Sequence, residues 1–229
     1  MPVEPIVGGA DEAGRGPVLG PMVVCAACFR EVDMPCMLDQ GVTDSKQLNP
    51  KRREALFDVI TRAALDYELV VLSPVEINEF MAGGTNLNDI EVTAFARAIN
   101  AVIRRGTIPG TLWIDAADVK PTRFGERIQG LLSTRVVVNA RHKADATITA
   151  VGAASILAKV TRDRLVHELA KQYGDIGSGY PSDPKTRGFL KKYYQDHGNF
   201  PPIARMEWET LKQLKKEMGV IPKGQTRLF

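Results

Sequence analysis

The chain has 229 residues, 44% hydrophobic and 25% charged, which suits a soluble globular protein with one large domain and a core needing no disulfides or structural metal. Its longest apolar stretch, residues 22–29, is too short to cross a bilayer, and the opening Met-Pro-Val-Glu-Pro has no basic stretch leading into an apolar one; both favour a cytoplasmic protein. The net charge of +3 decides nothing alone, but residues 181–229 hold ten Lys and Arg against five Asp and Glu, a net of +5 that leaves −2 for the remainder and is compatible with a polyanionic partner.

In chain order, residues 5–11 form a short, partly apolar strand that meets two acids, Asp11 and Glu12. Gly14-Arg15-Gly16-Pro17 is a strong turn signal, and residues 18–29 are long enough for a buried strand, so the two strands are expected to pair as a hairpin. Cys25 and Cys28 have C-x-x-C spacing, but the chain offers no matching second pair of ligands. Strand positions three apart face opposite ways, so these cysteines are read as small apolar side chains. Asn49-Pro50 starts a helix to about residue 65, with Leu56, Val59 and Ile60 at helical spacing. A strand follows at 67–72, then a helix at 87–105 with Ile90, Phe95, Ile99 and Val102 inward. A strand at 111–115, a helix at 125–132 and a Val-rich strand at 135–140 come next.

Residues 144–173 make the longest helical run, and its Ala-Val-Gly-Ala-Ala-Ser stretch lets the backbone pack closely on a sheet. Beyond Gly174 a Gly/Ser/Pro loop leads to two short helices rich in Lys and aromatic residues. The expected organisation is an α/β body over 1–174, with a mixed sheet flanked by helices, a helical C-terminal appendage over 175–218, and a tail over 219–229.

Carboxylates in apolar strand surroundings are costly unless solvated, paired or bound to a cation. In a regular strand Asp11 and Glu12 point to opposite faces, so a common site requires the strand to end or kink there, which Gly14 and Gly16 permit. Asp115 closes the run Leu112-Trp113-Ile114 and therefore sits at a strand tip, ahead of its neighbour Asp118. Asp145 opens the long helical run and taken alone reads as a helix cap; Asp118 and Asp163 fall where solvent exposure is the default. Four acids at the ends of sheet elements make a hard, oxygen-rich site that suits Mg2+ or Mn2+, and a pair of such ions serves in-line phosphodiester displacement. The three histidines, at 142, 167 and 197, lack zincin spacing. Composition and spacing stop at a metal site without naming its substrate.

Asp11-Glu12-Ala13-Gly14-Arg15-Gly16 with Pro17 and Gly20-Pro21 resembles the signature of the type 2 ribonucleases H. Asp44-Ser45-Lys46-Gln47-Leu48 resembles their D-S-K-x-L element, and Lys143-Ala144-Asp145 with Ala153-Ala154-Ser155-Ile156 and Arg162-Asp163 resembles their K-A-D…A-A-S-I helix. Gly177-Ser178-Gly179-Tyr180-Pro181 resembles the loop of the archaeal and eukaryotic branch, so four blocks occur in the family's order.

The resemblance implies a ribonuclease-H-like fold with a five-stranded mixed sheet. It implies an endonuclease that cuts RNA in RNA–DNA hybrids and 5′ to single ribonucleotides in duplex DNA, leaving 5′-phosphate and 3′-hydroxyl ends. On it, Asp11, Glu12, Asp115 and Asp145 are the catalytic metal-binding acids. Gly14, Arg15 and Gly16 read the ribose 2′-hydroxyl and the neighbouring phosphate, largely through backbone groups, since glycine permits close approach. Tyr180 packs on the sugar at the RNA-to-DNA junction, Lys46 is a phosphate contact, and Arg141 and Lys143, which flank Asp145, are further substrate contacts. The family's archaeal members imply a monomer. Gln225, Leu228 and Phe229 resemble a shortened sliding-clamp-binding box on the tail. The rival readings are a DNA nuclease or strand-transfer enzyme of the same broad fold, and a non-catalytic hybrid- or clamp-binding protein; the intact acids and the Gly-Arg-Gly turn disfavour both.

Overall fold

The computed structural model describes residues 4–43 and 45–220. Five strands, β1 (Ile6–Ala13), β2 (Met22–Arg30), β3 (Asp66–Leu72), β4 (Thr111–Asp115) and β5 (Val137–Arg141), form one sheet in the order β3-β2-β1-β4-β5. β1–β2 and β2–β3 pair antiparallel, while β1–β4 and β4–β5 pair parallel. The central β1 is therefore where the two halves of a mixed sheet meet. Around the sheet lie α1 (Met34–Asp39), α2 (Pro50–Ala63), α3 (Pro74–Ala82), α4 (Leu87–Arg104), α5 (Pro121–Gln129), α6 (Thr149–Tyr173), α7 (Pro184–His197) and α8 (Glu209–Glu217).

Helices cover both faces, which explains why β2 is an unbroken apolar run. Its alternate residues Val24 and Ala26 join Phe95, Ile99, Leu112, Ile114 and Phe124 in one core, while Val23, Cys25, Ala27 and Phe29 join Leu56, Ile60, Ala153, Ala154, Ile156 and Leu157 in the other. Cys25 and Cys28 are free, buried thiols, and burial raises both above the ordinary thiol range, as the apolar reading requires.

The small-residue stretch at the start of α6 lies directly on β1. A Cβ added at Gly9 would come within 2.1 Å of the Ala150 backbone carbonyl, so only glycine allows this approach. α7 and α8 build a third cluster of Leu190, Leu211 and Leu214 with Phe200 and Ile203, and they share it with Val18 and Leu19 from the β1–β2 connection. An isolated bridge between Leu19 and Ala204 ties that connection to the C-terminal region.

The predicted elements are present with shifted ends. β2 starts at Met22 rather than Val18, because the Val18 and Leu19 N–H groups donate to the Gly179 carbonyl and the Gly20 N–H to that of Ile203. α5 starts at Pro121, a residue suited to the first turn, four positions before the predicted start. The long helical run is broken: Lys143 adopts a left-handed conformation (φ 56°), Ala144–Ala146 forms a 3-10 turn, and α6 begins at Thr149. α1 and α3 were not predicted. α3 nonetheless announces itself by a full capping box, with the Ser73 hydroxyl accepting from the Glu76 N–H and Glu76 accepting from the Ser73 N–H. No helix among the described residues is long and apolar enough to cross a membrane.

Candidate metal centre and substrate cleft

The strand does not break at the paired acids. β1 runs through both acids and ends at Ala13, so Asp11 and Glu12 lie on opposite faces beside the end of the strand, which meets the first of the two alternatives, an end or a kink. Asp11 faces α6, on the side where the Ser155 hydroxyl favours its charged form. Glu12 follows Ala10 onto the α4 side at the exposed end of the sheet. Parallel pairing puts Ala10 opposite Ile114, so the next residues in register, Asp11 and Asp115, stand side by side at the carboxyl ends of adjacent strands. In open α/β sheets that is where ligands gather.

Asp145 arrives from the turn before α6. The helix N-cap is Ile148, with no side-chain cap, so Asp145 is not spent on capping. Asp11, Asp115 and Asp145 each offer a carboxylate oxygen, and these oxygens lie within 4.8 Å of one another. The Ala144 N–H donates to Asp115 Oδ1 at 2.8 Å, the Glu12 N–H to Asp11 Oδ1 at 2.7 Å, and Lys46 Nζ lies 3.3 Å from Asp145 Oδ2. Asp118 does not join them. It is buried rather than exposed, accepts from the Lys120 N–H at 2.8 Å and pairs with Arg123 at 2.8 Å. Asp163 pairs with Lys159 and Arg53.

Burial and mutual repulsion dominate the electrostatics of the acids. Burial, then the neighbouring Glu12 and Asp115, holds the Asp11 carboxyl well above the usual carboxylate range, against the Ser155 hydrogen bond. Burial, then Asp115, pushes Glu12 up to about 7, although Arg15 pulls it down. Burial, and further Asp145, raises Asp115 against the Ala144 N–H. Glu12 Oε2 is sealed from solvent and has no hydrogen-bond partner among the described residues. A divalent cation satisfies each of these conditions, because it replaces lost solvation and offsets like-charge repulsion. The all-oxygen donor set fits Mg2+ or Mn2+ better than zinc.

A cleft of about 210 Å³ is lined by Asp11, Glu12, Asp115, the Gly14-Arg15-Gly16 turn, Ser45, Lys46, Ser155, Lys159 and Tyr180. Gly14 has φ +92°, and a Cβ there would meet the Arg162 side chain. The turn is tied down from behind: Arg205 donates to the Arg15 carbonyl at 3.0 Å and Trp208 Nε1 to the Gly16 carbonyl at 3.1 Å. Tyr180 is 40% exposed, with the Arg162 guanidinium 5.7 Å from its ring centre. Arg141, stacked 4.8 Å from the Trp113 ring centre, and the exposed Lys143 do not line the cleft. Asp44, Gln225, Leu228 and Phe229 lie outside the described residues.

Sequence reasoning missed the residues that support the site. Ser155 enters the sequence reading as part of a close-packing stretch and of the A-A-S-I block, with no role of its own, yet its hydroxyl pairs with the Ser45 hydroxyl at 2.9 Å and favours the charged form of Asp11. Arg53 then fixes the Ser45 carbonyl at 3.0 Å. The only signal available was a polar residue inside an alanine-rich helix. The buried Glu91 and Arg205 carry no signal in the local pattern, and Arg162 is marked only by its place in the family's helix motif.

Residues 8–211 match the model of a family described as Ribonuclease HII. Ribonuclease HII of Thermococcus onnurineus is 51% identical over 223 residues, 96% of each chain. The crystal structure of ribonuclease H2 from Pyrococcus horikoshii is similar with a TM-score of 0.85 at 43% identity, covering 93% of this chain and 99% of that one. Ribonuclease HII of Archaeoglobus fulgidus, solved as a complex with PCNA, has a TM-score of 0.80 at 37% identity and covers 91% and 96%.

Proposed function

This chain belongs to the ribonuclease HII family, enzymes that hydrolyse RNA paired to DNA, and from that premise we propose an endonuclease that also incises duplex DNA 5′ to a single ribonucleotide, leaving 5′-phosphate and 3′-hydroxyl ends. The observation that carries the reading is the meeting, in one place, of three carboxylates within 4.8 Å and a cleft shared by Glu12, the Gly-Arg-Gly turn and Tyr180.

In this reading Asp11, Glu12, Asp115 and Asp145 hold two divalent cations, Mg2+ or Mn2+. Bound there, the cations offset charge on the attacking and departing oxygens of the phosphodiester. The remaining work falls to the protein. Ser155 and the Glu12 N–H orient the Asp11 carboxylate, and the Ala144 N–H orients Asp115. The backbone of Gly14-Arg15-Gly16 contacts the 2′-hydroxyl, the group that separates RNA from DNA. Tyr180, at the rim, packs on the sugar across the junction. Lys46 contacts a phosphate next to the scissile bond, and Arg141 and Lys143, outside the cleft, meet the flanking strand. The helices of residues 175–218 extend this surface, and the enzyme acts as a monomer.

That the Archaeoglobus relative was solved with PCNA supports reading Gln225, Leu228 and Phe229 as a clamp-binding box. The decisive assay is cleavage of a DNA duplex carrying one ribonucleotide, with Mg2+ or Mn2+. Incision 5′ to the ribonucleotide is expected, and Asp11→Asn should abolish turnover while leaving substrate binding largely intact. Folded wild-type protein that leaves this duplex uncut, or an active Asp11→Asn variant, overturns the reading.

A further inference from the structure

Glu91 is a carboxylate in the apolar core, on the buried face of α4 and 0% exposed. Its partner is Arg15, the middle residue of the glycine turn, whose guanidinium forms an ion pair with Glu91 Oε2. The same guanidinium donates to Asn88 Oδ1 at 2.7 Å. An isolated buried carboxylate is very costly, and a buried ion pair is seldom a net gain over well-packed apolar residues. The arrangement is therefore poorly explained as a source of stability. What it does provide is geometry: it draws the Arg15 guanidinium toward α4, onto Glu91 and Asn88, with 31% of the side chain still exposed. With the Arg15 and Gly16 carbonyls held by Arg205 and Trp208, the N–H groups are what the turn has left to offer a ligand.

We propose that Glu91 is a positioning residue for ribose selection: by holding the Arg15 guanidinium against α4, it makes the turn read sugar hydroxyls through its backbone rather than phosphates through its charge. The inference rests on the proposed role of the Gly14-Arg15-Gly16 turn in contacting the 2′-hydroxyl. An arginine released to the surface would bind RNA and DNA backbones alike, since phosphate contacts carry no information about the sugar.

The test uses the full chain with Mg2+ and a duplex carrying one ribonucleotide, with the all-DNA duplex of the same sequence as competitive inhibitor. Wild type must first cut the former and bind the latter more weakly; failure at that step removes the proposed function itself and is seen before any variant is made. Glu91→Gln keeps the shape of the side chain. It should reduce the ratio of DNA inhibition constant to ribonucleotide-substrate KM by about tenfold, and steepen the dependence of log affinity on log salt by about 0.9, the release expected of one new phosphate contact. A merely structural role moves neither quantity.

Arg15→Gln in the Glu91→Gln background should return the salt slope to the wild-type value, because the freed cation is then gone. If Glu91→Gln does not fold, Asn88→Ala removes the second Arg15 acceptor from a half-buried position and should shift the ratio about threefold in the same direction. An unchanged ratio and salt slope in a folded variant, or a steeper slope that persists without Arg15, overturns the proposal.

Discussion

Glu12→Gln should stabilise the cation-free protein at alkaline pH. In the folded chain Glu12 titrates near 7, against a reference value of 4.5, because burial and then Asp115 disfavour its charge. An acid whose folded pKa is raised holds its proton more tightly folded than unfolded. Its contribution therefore favours folding at low pH and is lost as pH rises from about 4.5 through about 7. Two and a half pKa steps at about 1.36 kcal/mol each set a ceiling of about 3.4 kcal/mol. Repulsion shared with Asp115 and relaxation around the end of β1 bring the expected gain to about 2 kcal/mol.

For a chain of this size that is a rise in melting temperature of about 4–8 °C. The assay is thermal unfolding followed by circular dichroism in EDTA, from pH 4.5 to 8.5, for wild type and Glu12→Gln. The curves should nearly coincide at the acid end and separate above pH 6, and millimolar Mg2+ or Mn2+ should restore the wild type alone. Parallel pH profiles in EDTA, or a less stable Glu12→Gln at pH 8, would show that the Glu12 carboxylate is not desolvated in the way described.

Gly9→Ala should destabilise the protein by about 3 kcal/mol in urea unfolding, because its Cβ has only the Ala150 carbonyl to displace, and a loss below about 0.5 kcal/mol would contradict that packing. Lys46→Gln should weaken binding of an RNA–DNA hybrid and lower the salt slope of its affinity by about 0.9; an unchanged slope removes Lys46 from the phosphate contacts. Deletion of residues 221–229 should leave hybrid cleavage intact while abolishing co-elution with a sliding clamp on gel filtration, and retained co-elution would place the clamp contact elsewhere.

The parts legible in the sequence were those set by local pattern. The apolar run Leu112-Trp113-Ile114 marked a strand with Asp115 at its tip, and the β1–β2 hairpin followed from the turn at Gly14-Arg15-Gly16-Pro17. Local pattern failed where a distant segment decides. Period 2 correctly put Asp11 and Glu12 on opposite faces, and the strand ends beside them without a kink, since the end of a sheet is open to ligands from both sides. Lys143 in the left-handed region, which turns the chain between β5 and Asp145, is unfavourable locally and is held by surrounding structure that no helical periodicity records. Asp118 looked solvent-facing because Arg123 and the Lys120 N–H, which enclose it, follow only once α5 begins at Pro121. Glu91 sits one residue beyond the inward Ile90, and only Arg15, far away in sequence, gives it meaning.

The pairing of β1 with β4 has a consequence for biosynthesis. Ala10 meets Ile114 in parallel register, across more than a hundred intervening residues, and Asp145 joins later still. Such long-range closure is among the slow events of folding. A growing chain emerging from the ribosome thus cannot assemble the proposed metal centre until well over half of it has been made, and Leu19 reaches its partner Ala204 only near the end. Nuclease activity is in this sense a late product of translation: the cell is not exposed to a half-made chain able to cut nucleic acid.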